Sequence, residues 1–519
     1  MELFEWTLGL LLAAVALTAL SRKVGAPYPA LLALAGAAIA VLPIDTGIRI
    51  DPELALALFI APVLLDAAYD TSPRDLKRNI VPLAALVVVA VLLTTAVVAW
   101  VGWRFAGLPI AAAIALGAIV APPDAAAASA VLDQVKAPER LMHILRGESL
   151  LNDAVALLIY RMAVVAAAAP VTLGGAAPLM AWALLGSPVA GVLLARLYAR
   201  LTARIEDAPS ATVLQFVGAF GVWILAEHAQ LSAIITVVAY AMTIARSAPR
   251  KSPARVRVSS YSVWETAVFV LNVLAFVLMG LQARPVIERL PEGERWAALG
   301  FSAVVLAVCI GVRLVFVMGY SGVLLFKNRH YGANQPSGHP EPNARGGLLV
   351  GWCGMRGLVT LAAAFALPER FPQRDLIVLC AFVVVLGTLI IQGFTLPWLL
   401  RVLRLEPGDM VEQDVSRGRT CALDAALENI RDETSPVARA LRGELQAARR
   451  VAADPRDPQA ATEHDALRLR TLHVQRETLH RMRRDATIGD EAYHRLMEEL
   501  DWNELSAAPP GDFQALTTA

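Results

Sequence analysis

Five ionisable residues stand inside stretches of sequence that are otherwise hydrocarbon. Asp66 lies near the end of FIAPVLLDAAYD, Asp124 interrupts GAIVAPPDAAAASAVL, Glu148 and Asp153 fall within GESLLNDAVALLIY, and Arg356 breaks GWCGMRGLVTLAAAFALP. A charge at the centre of a membrane span costs about 2.5 to 3.5 kcal/mol on insertion scales, so each of these residues points to a pathway or a pairing. A carboxylate held away from water is neutralised either by a proton or by a metal cation, and the two compete for the same oxygens.

Spacing divides the roles. Ser149 and Asp153 are four residues apart and share a helix face, while Glu148 and Asn152 form a neighbouring pair at the same interval. One guanidinium cannot neutralise every acid, so Arg356 is assigned to Glu148 as a structural ion pair and Asp153 is left unpaired. Alternation of proton and cation at that one acid is antiport in its simplest form. Arg161 and Arg313, also in apolar runs, are read as side chains that snorkel to the membrane surface or as marks of slightly misplaced span ends.

The elements that position these residues follow from composition. Of 519 residues 57% are hydrophobic and 18% charged, with a mean hydropathy of +0.55, too apolar for a chain that must cover itself with water. A net charge of +1, with no basic stripe interleaved with aromatics, excludes nucleic acid as a partner. Four cysteines without CxxC or histidine spacing indicate neither zinc nor a disulfide framework. The amino-terminal apolar run opens with Glu2 and Glu5 rather than basic residues and is read as a first span, not a cleaved signal.

A spanning helix needs about 20 apolar residues, and the chain offers about 13 such segments. They lie near 4–21, 27–43, 52–69, 80–106, 108–132, 147–168, 177–200, 211–228, 230–246, 262–283, 297–326, 346–367 and 375–400. Lys and Arg concentrate in alternate loops, which places the N-terminus outside and the C-terminus in the cytoplasm. Residues 1–405 form the membrane domain, and 406–519, rich in Arg, Glu and Ala, a helical cytoplasmic tail.

Spans 5 and 12 share a peculiarity. Pro122 and Pro123 remove backbone donors in one, and Gly351, Gly354 and Gly357 loosen the other, so both are expected to unwind midway. Interrupted backbone at that depth is tolerated only where protein or a wet cavity satisfies it, and its freed carbonyls become ion ligands. Seven spans apart, the two run in opposite directions, the pattern of an inverted repeat with its site where the breaks cross.

GESLLNDA, GWCGMRGLVTLA, GAIVAPPDAAAASAVL, SVWETAVFVLNVLAFVLMGLQ and IQGFTLPWLL, in their order along the chain, resemble the monovalent cation:proton antiporter-1 family of sodium/proton exchangers. The resemblance implies an all-α polytopic membrane protein with an NhaA/NhaP-like fold, inverted six-helix repeats, two unwound crossing helices and a homodimeric assembly in the cell membrane. It implies Asp153 as the principal proton and cation site, binding Na+ or K+ together with Asp124. It further implies Asn152 in the Asn-Asp arrangement of electroneutral exchange, Ser149 as a hydroxyl ligand, Glu148 with Arg356 as a structural pair, and Asp66 near the cytoplasmic funnel. Where the family commonly has Thr-Asp-Pro, this chain has Pro123, Asp124 and Ala125. The function so implied is exchange of Na+, or of K+ or Li+, for H+ in pH homeostasis, with no cofactor and no nucleotide, the chain lacking a Walker-type phosphate loop. A cation channel using the same acids is the alternative. An intramembrane aspartic hydrolase is disfavoured because its Tyr-Asp and Gly-x-Gly-Asp signatures are missing.

Overall fold

The computed structural model describes residues 2–24, 27–41, 54, 56–124, 128–129, 132, 139–168, 178, 180–205, 207–251, 254–331, 344–404, 410–453, 458–485 and 487–507. Among the described residues the secondary structure is helical, with no strand. Two compact units divide the chain, Met1–Pro407 and Gly408–Ala519.

The first unit opens with α1 (Glu2–Val24) and α2 (Tyr28–Val41), followed by α3 (Ala61–Tyr69), α4 (Ile80–Ala106), α5 (Ile110–Val120) and α6 (Glu139–Ala168). Next come α7 (Trp182–Leu201), α8 (Ala208–His228), α9 (Ala233–Lys251), α10 (Ala254–Leu281) and α11 (Arg295–Tyr331). The unit closes with α12 (Ala344–Trp352), α13 (Leu358–Phe365) and α14 (Arg374–Leu403). Seven helices among the described residues are long and apolar enough to cross a membrane, and five shorter apolar helices accompany them. Several run beyond their hydrocarbon stretch: α6 begins at Glu139 rather than near 147, and α11 extends to Tyr331 rather than 326. Hydropathy marks lipid thickness, whereas backbone hydrogen bonding carries a helix on into its polar flank.

Two large apolar clusters hold the unit together. One gathers residues of α1, α2, α4, α5, α6 and α10 to α14, including Leu32, Leu116, Phe276, Leu349 and Val385. The other joins α3, α6, α7, α8 and α9 through Leu64, Leu150, Trp223, Ile234 and Tyr240. α6 contributes to both, with Leu157 packing against each, so the helix that carries Glu148 and Asp153 lies at the seam. Within the first cluster α2 and α10 approach to backbone contact, because a Cβ at Gly36 or Gly280 would overlap the opposite main chain.

The second unit consists of α15 (Met410–Asn429), α16 (Pro436–Ala453), α17 (Pro458–Arg484) and α18 (Asp490–Ala507). They pack as two hairpins: Ser416 donates to the Ala452 carbonyl between α15 and α16, and Tyr493 of α18 hydrogen-bonds His480 of α17 at 2.9 Å.

Candidate functional site

The site is built from two interruptions that touch. α5 stops at Val120, and residues 121–124 continue without helical hydrogen bonding. Prolines at 122 and 123 supply no amide hydrogen, so the last turn cannot be extended. α12 stops at Trp352 and α13 resumes at Leu358, leaving 353–357 non-helical. The two breaks are stitched directly, the amide of Asp124 donating to the carbonyl of Met355 at 2.7 Å. Contact is close enough that a Cβ on Gly357 would overlap the Asp124 carboxylate, so only glycine leaves room for that side chain. Ala125, one of the positions that depart from the family pattern, lies outside the described residues.

The broken end of α5 exposes carbonyls that a continuing helix would have satisfied. Arg356 answers them. Its Nε donates to the Val120 carbonyl at 3.0 Å, Nη2 to that of Ala121 at 3.5 Å, and Nη1 to that of Gly354, while its own amide donates to Thr388 Oγ1 of α14 at 3.0 Å. With a fully buried side chain, Arg356 is therefore a clamp on the broken backbone.

This corrects the expected Glu148–Arg356 ion pair. Glu148 is held instead by Arg313 of α11, whose Nη1 and Nη2 reach Oε1 and Oε2 at 2.5 and 2.9 Å. Arg313 also donates to the carbonyls of Val350 and Cys353 at 3.1 and 3.4 Å, tying α6 and α11 to the end of α12. Arg313 is 3% exposed and so does not snorkel. Parallel fork geometry satisfies both carboxylate oxygens, whereas Arg356 is drawn away by carbonyls left without amide partners. Arg161 likewise has a specific partner, donating to Glu227 at 2.6 and 2.7 Å.

Asn152 connects α6 to the first break. Its Nδ2 donates to the Pro123 carbonyl at 2.9 Å, and its Oδ1 is buried without a hydrogen-bond partner. The next residue, Asp153, is 7% exposed and makes no hydrogen bond or ion pair among the described residues, although its charge interacts with that of Asp124. Ser149 sits half-buried one turn earlier on the same helix. The structure thus brings Asp124, Asn152 and Asp153 to one place beside the crossing. Among the described residues no three His, Cys, Asp or Glu side chains converge on one point; the donors gathered here include the Asp124 and Asp153 carboxylates and the Asn152 Oδ1. Hard oxygen donors of this kind suit an alkali ion better than a soft transition metal.

Asp66 lies apart from this centre. It lines a cavity of about 720 Å³ between α3, α7, α8, α9 and α10, whose walls include neither Asp124 nor Asp153. Sequence reasoning missed Arg313, Thr388 and Gly357 as site residues. For Arg313 the signal was present, since an arginine in VCIGVRLVFVMGY is as costly in hydrocarbon as any of the acids.

Known proteins place this geometry in context. The family model described as sodium/hydrogen exchanger, transmembrane, matches residues 10–402. An uncharacterized Na+/H+ exchanger of Mycobacterium bovis is 29% identical over 97% of this chain and 96% of its own length. A sodium, potassium, lithium and rubidium/H+ antiporter of Bacillus subtilis is 30% identical over 72% of this chain and 57% of its own. The fold is similar to that of the sodium proton antiporter MjNhaP1 from Methanocaldococcus jannaschii, with a TM-score of 0.59 at 18% identity over 78% of this chain and 100% of that one. The chain is thus a membrane-embedded member of the sodium/hydrogen exchanger family.

Proposed function

We propose that this protein exchanges one alkali cation for one proton across the cell membrane, with Asp153 as the shared site. The observation that carries the reading is the state of Asp153: buried, without hydrogen bond or ion pair among the described residues, and within reach of the charge on Asp124 beside two broken helices. Two carboxylates near each other away from water cannot comfortably both remain charged, so arrival of a cation and departure of a proton are coupled. Asn152 supplies a neutral oxygen beside the pair, and Ser149 is assigned as a further hydroxyl ligand. Asp124 joins the cation when it is bound.

Sodium is the first candidate cargo, because the family model and the mycobacterial relative carry that name, while the Bacillus relative extends the candidates to potassium, lithium and rubidium. The exchanger acts as a homodimer, alternating access around the crossing, with no cofactor. Its N-terminus faces outward, and residues 406–519 form a cytoplasmic appendage. The test is proton flux in vesicles of reconstituted protein challenged in turn with each alkali cation. One-for-one exchange predicts cation-dependent flux that is electrically silent. Steady cation currents in a planar bilayer, without coupled proton movement, would replace it with a channel.

A further inference from the structure

The cavity beside Asp66 is larger and more aromatic than passage of an alkali ion requires. Its volume of about 720 Å³ falls within the range of small-molecule pockets, whereas a single water occupies about 30 Å³ in the liquid. The walls are mainly rings and aliphatic chains, which are poor ligands for a hard alkali cation. Tyr240 and Trp264 form buried parts of the wall, and Tyr261, 59% exposed, stands on its rim. Tyr198 meets Tyr240 edge to face at 5.8 Å between ring centroids.

These rings are held in place before any ligand arrives. Trp264 stacks on Phe216 at 4.2 Å and donates its indole N–H to Gln215 Oε1 at 2.5 Å. Gln215 in turn reaches Ser260 Oγ at 3.4 Å, and Ser260 hydrogen-bonds Thr212 at 2.9 Å, so one polar chain fixes α8 against α10. Such a wall loses little freedom on binding. The charged residues of its lining are Asp66 and Arg257. The neighbours whose charges act on Asp66 itself are Asp70 and Glu265, both acids, while Arg257 acts on Tyr69 and Arg146 on Asp70. Arg257, the one basic lining residue, is a turn before Tyr261 toward the start of α10.

We infer that this cavity binds an organic ammonium ion, its charge at Asp66 and its hydrocarbon body against Tyr198, Tyr240, Tyr261 and Trp264. A carboxylate supplies the Coulomb attraction, and ring faces add cation–π contact that an alcohol of the same shape does not gain. The site is separate from Asp153 and does not rest on the exchange reading.

Phenethylammonium is the probe and 2-phenylethanol its uncharged counterpart, each titrated calorimetrically into the full-length protein in detergent. Saturable binding of the amine, with the alcohol at least tenfold weaker, is the expected result. Asp66→Asn weakens the amine at least tenfold, Asp66→Glu restores most of the affinity, and Trp264→Ala weakens it without changing the preference for charge. Asp153→Asn leaves amine affinity within twofold, so the outcome is read independently of exchange. Thermal unfolding of each variant establishes that it is folded. No saturable binding to the wild type, equal affinity for the alcohol, or an Asp66→Asn variant that binds the amine as well as the wild type overturns the proposal. Equal affinity would make the cavity a slot for lipid chains.

Discussion

Arg313 and Glu148, 165 positions apart in the chain, are joined by two parallel hydrogen bonds in the buried core, 2.5 and 2.9 Å long. Removing one partner leaves the other charge buried and alone, which costs about 3–5 kcal/mol. Glu148→Gln and Arg313→Met, taken singly, are therefore expected to lower thermal stability in detergent strongly. The double variant recovers part of the loss. Recovery stays incomplete, because Arg313 also satisfies the carbonyls of Val350 and Cys353.

Gly357 tests the crossing by size alone. Its φ of −137° is open to any residue, so alanine introduces no backbone strain, only a methyl group where the Asp124 carboxylate lies. The carboxylate can swing aside, but the new methyl would also lie within 2.7 Å of Asp124 Cβ, so the backbone at the crossing must shift as well. Gly357→Ala should lower the melting temperature modestly and lose exchange about ten- to a hundredfold through misplacement of the Asp124 carboxylate. Flux and unfolding measured on the same preparation separate the two effects.

Asn152 is predicted to contribute on both sides of its amide. Asn152→Ala removes the donor to the Pro123 carbonyl, a loss of about 1–2 kcal/mol in stability, and takes away the free Oδ1. The cation concentration for half-maximal flux should rise. An unchanged value with lowered stability would confine Asn152 to a structural role.

Asp207 offers a pH dependence away from the membrane interior. It caps α8 by accepting the Ser210 amide at 2.9 Å, and hydrogen bonds from Ser210 hold its carboxyl below the usual carboxylate range. A group whose value is lowered on folding stabilises the folded state above its unfolded value, and that contribution disappears as pH falls through the folded one. The protection factors of amides at the start of α8, their exchange relative to an unstructured chain at the same pH, should fall below about pH 4. In Asp207→Ala they should be low throughout, with no such acid step.

How far the sequence carries the architecture is seen at particular residues. Pro122, Pro123 and the three glycines around Arg356 mark the interruptions because their effect is local: a missing amide or a missing Cβ acts within one turn. Asp153 stands out for the same reason, as a charge within an apolar run. Pairings are different. Which guanidinium reaches Glu148 depends on how α11 packs against α6, and Arg356 was the wrong choice because open carbonyls at the end of α5 compete for it. The ring-lined cavity draws Tyr198, Tyr240 and Trp264 from three helices, and no spacing within one of them announces it. Membrane segments were legible in hydropathy, while the true ends of α6 and α11 lie in polar flanks that hydropathy ignores.

Everything proposed for exchange turns on Asp153 holding either a proton or a cation. Proton flux driven by an alkali gradient, measured in vesicles of wild type and Asp153→Asn side by side, tests it most directly. The wild type is expected to exchange, with the pH of half-maximal flux falling about one unit for each tenfold rise in cation where protons dominate the site, as competition for one acid requires. Asp153→Asn should fold and show no exchange. Cation-driven proton flux at the wild-type rate in that variant would place the shared site elsewhere.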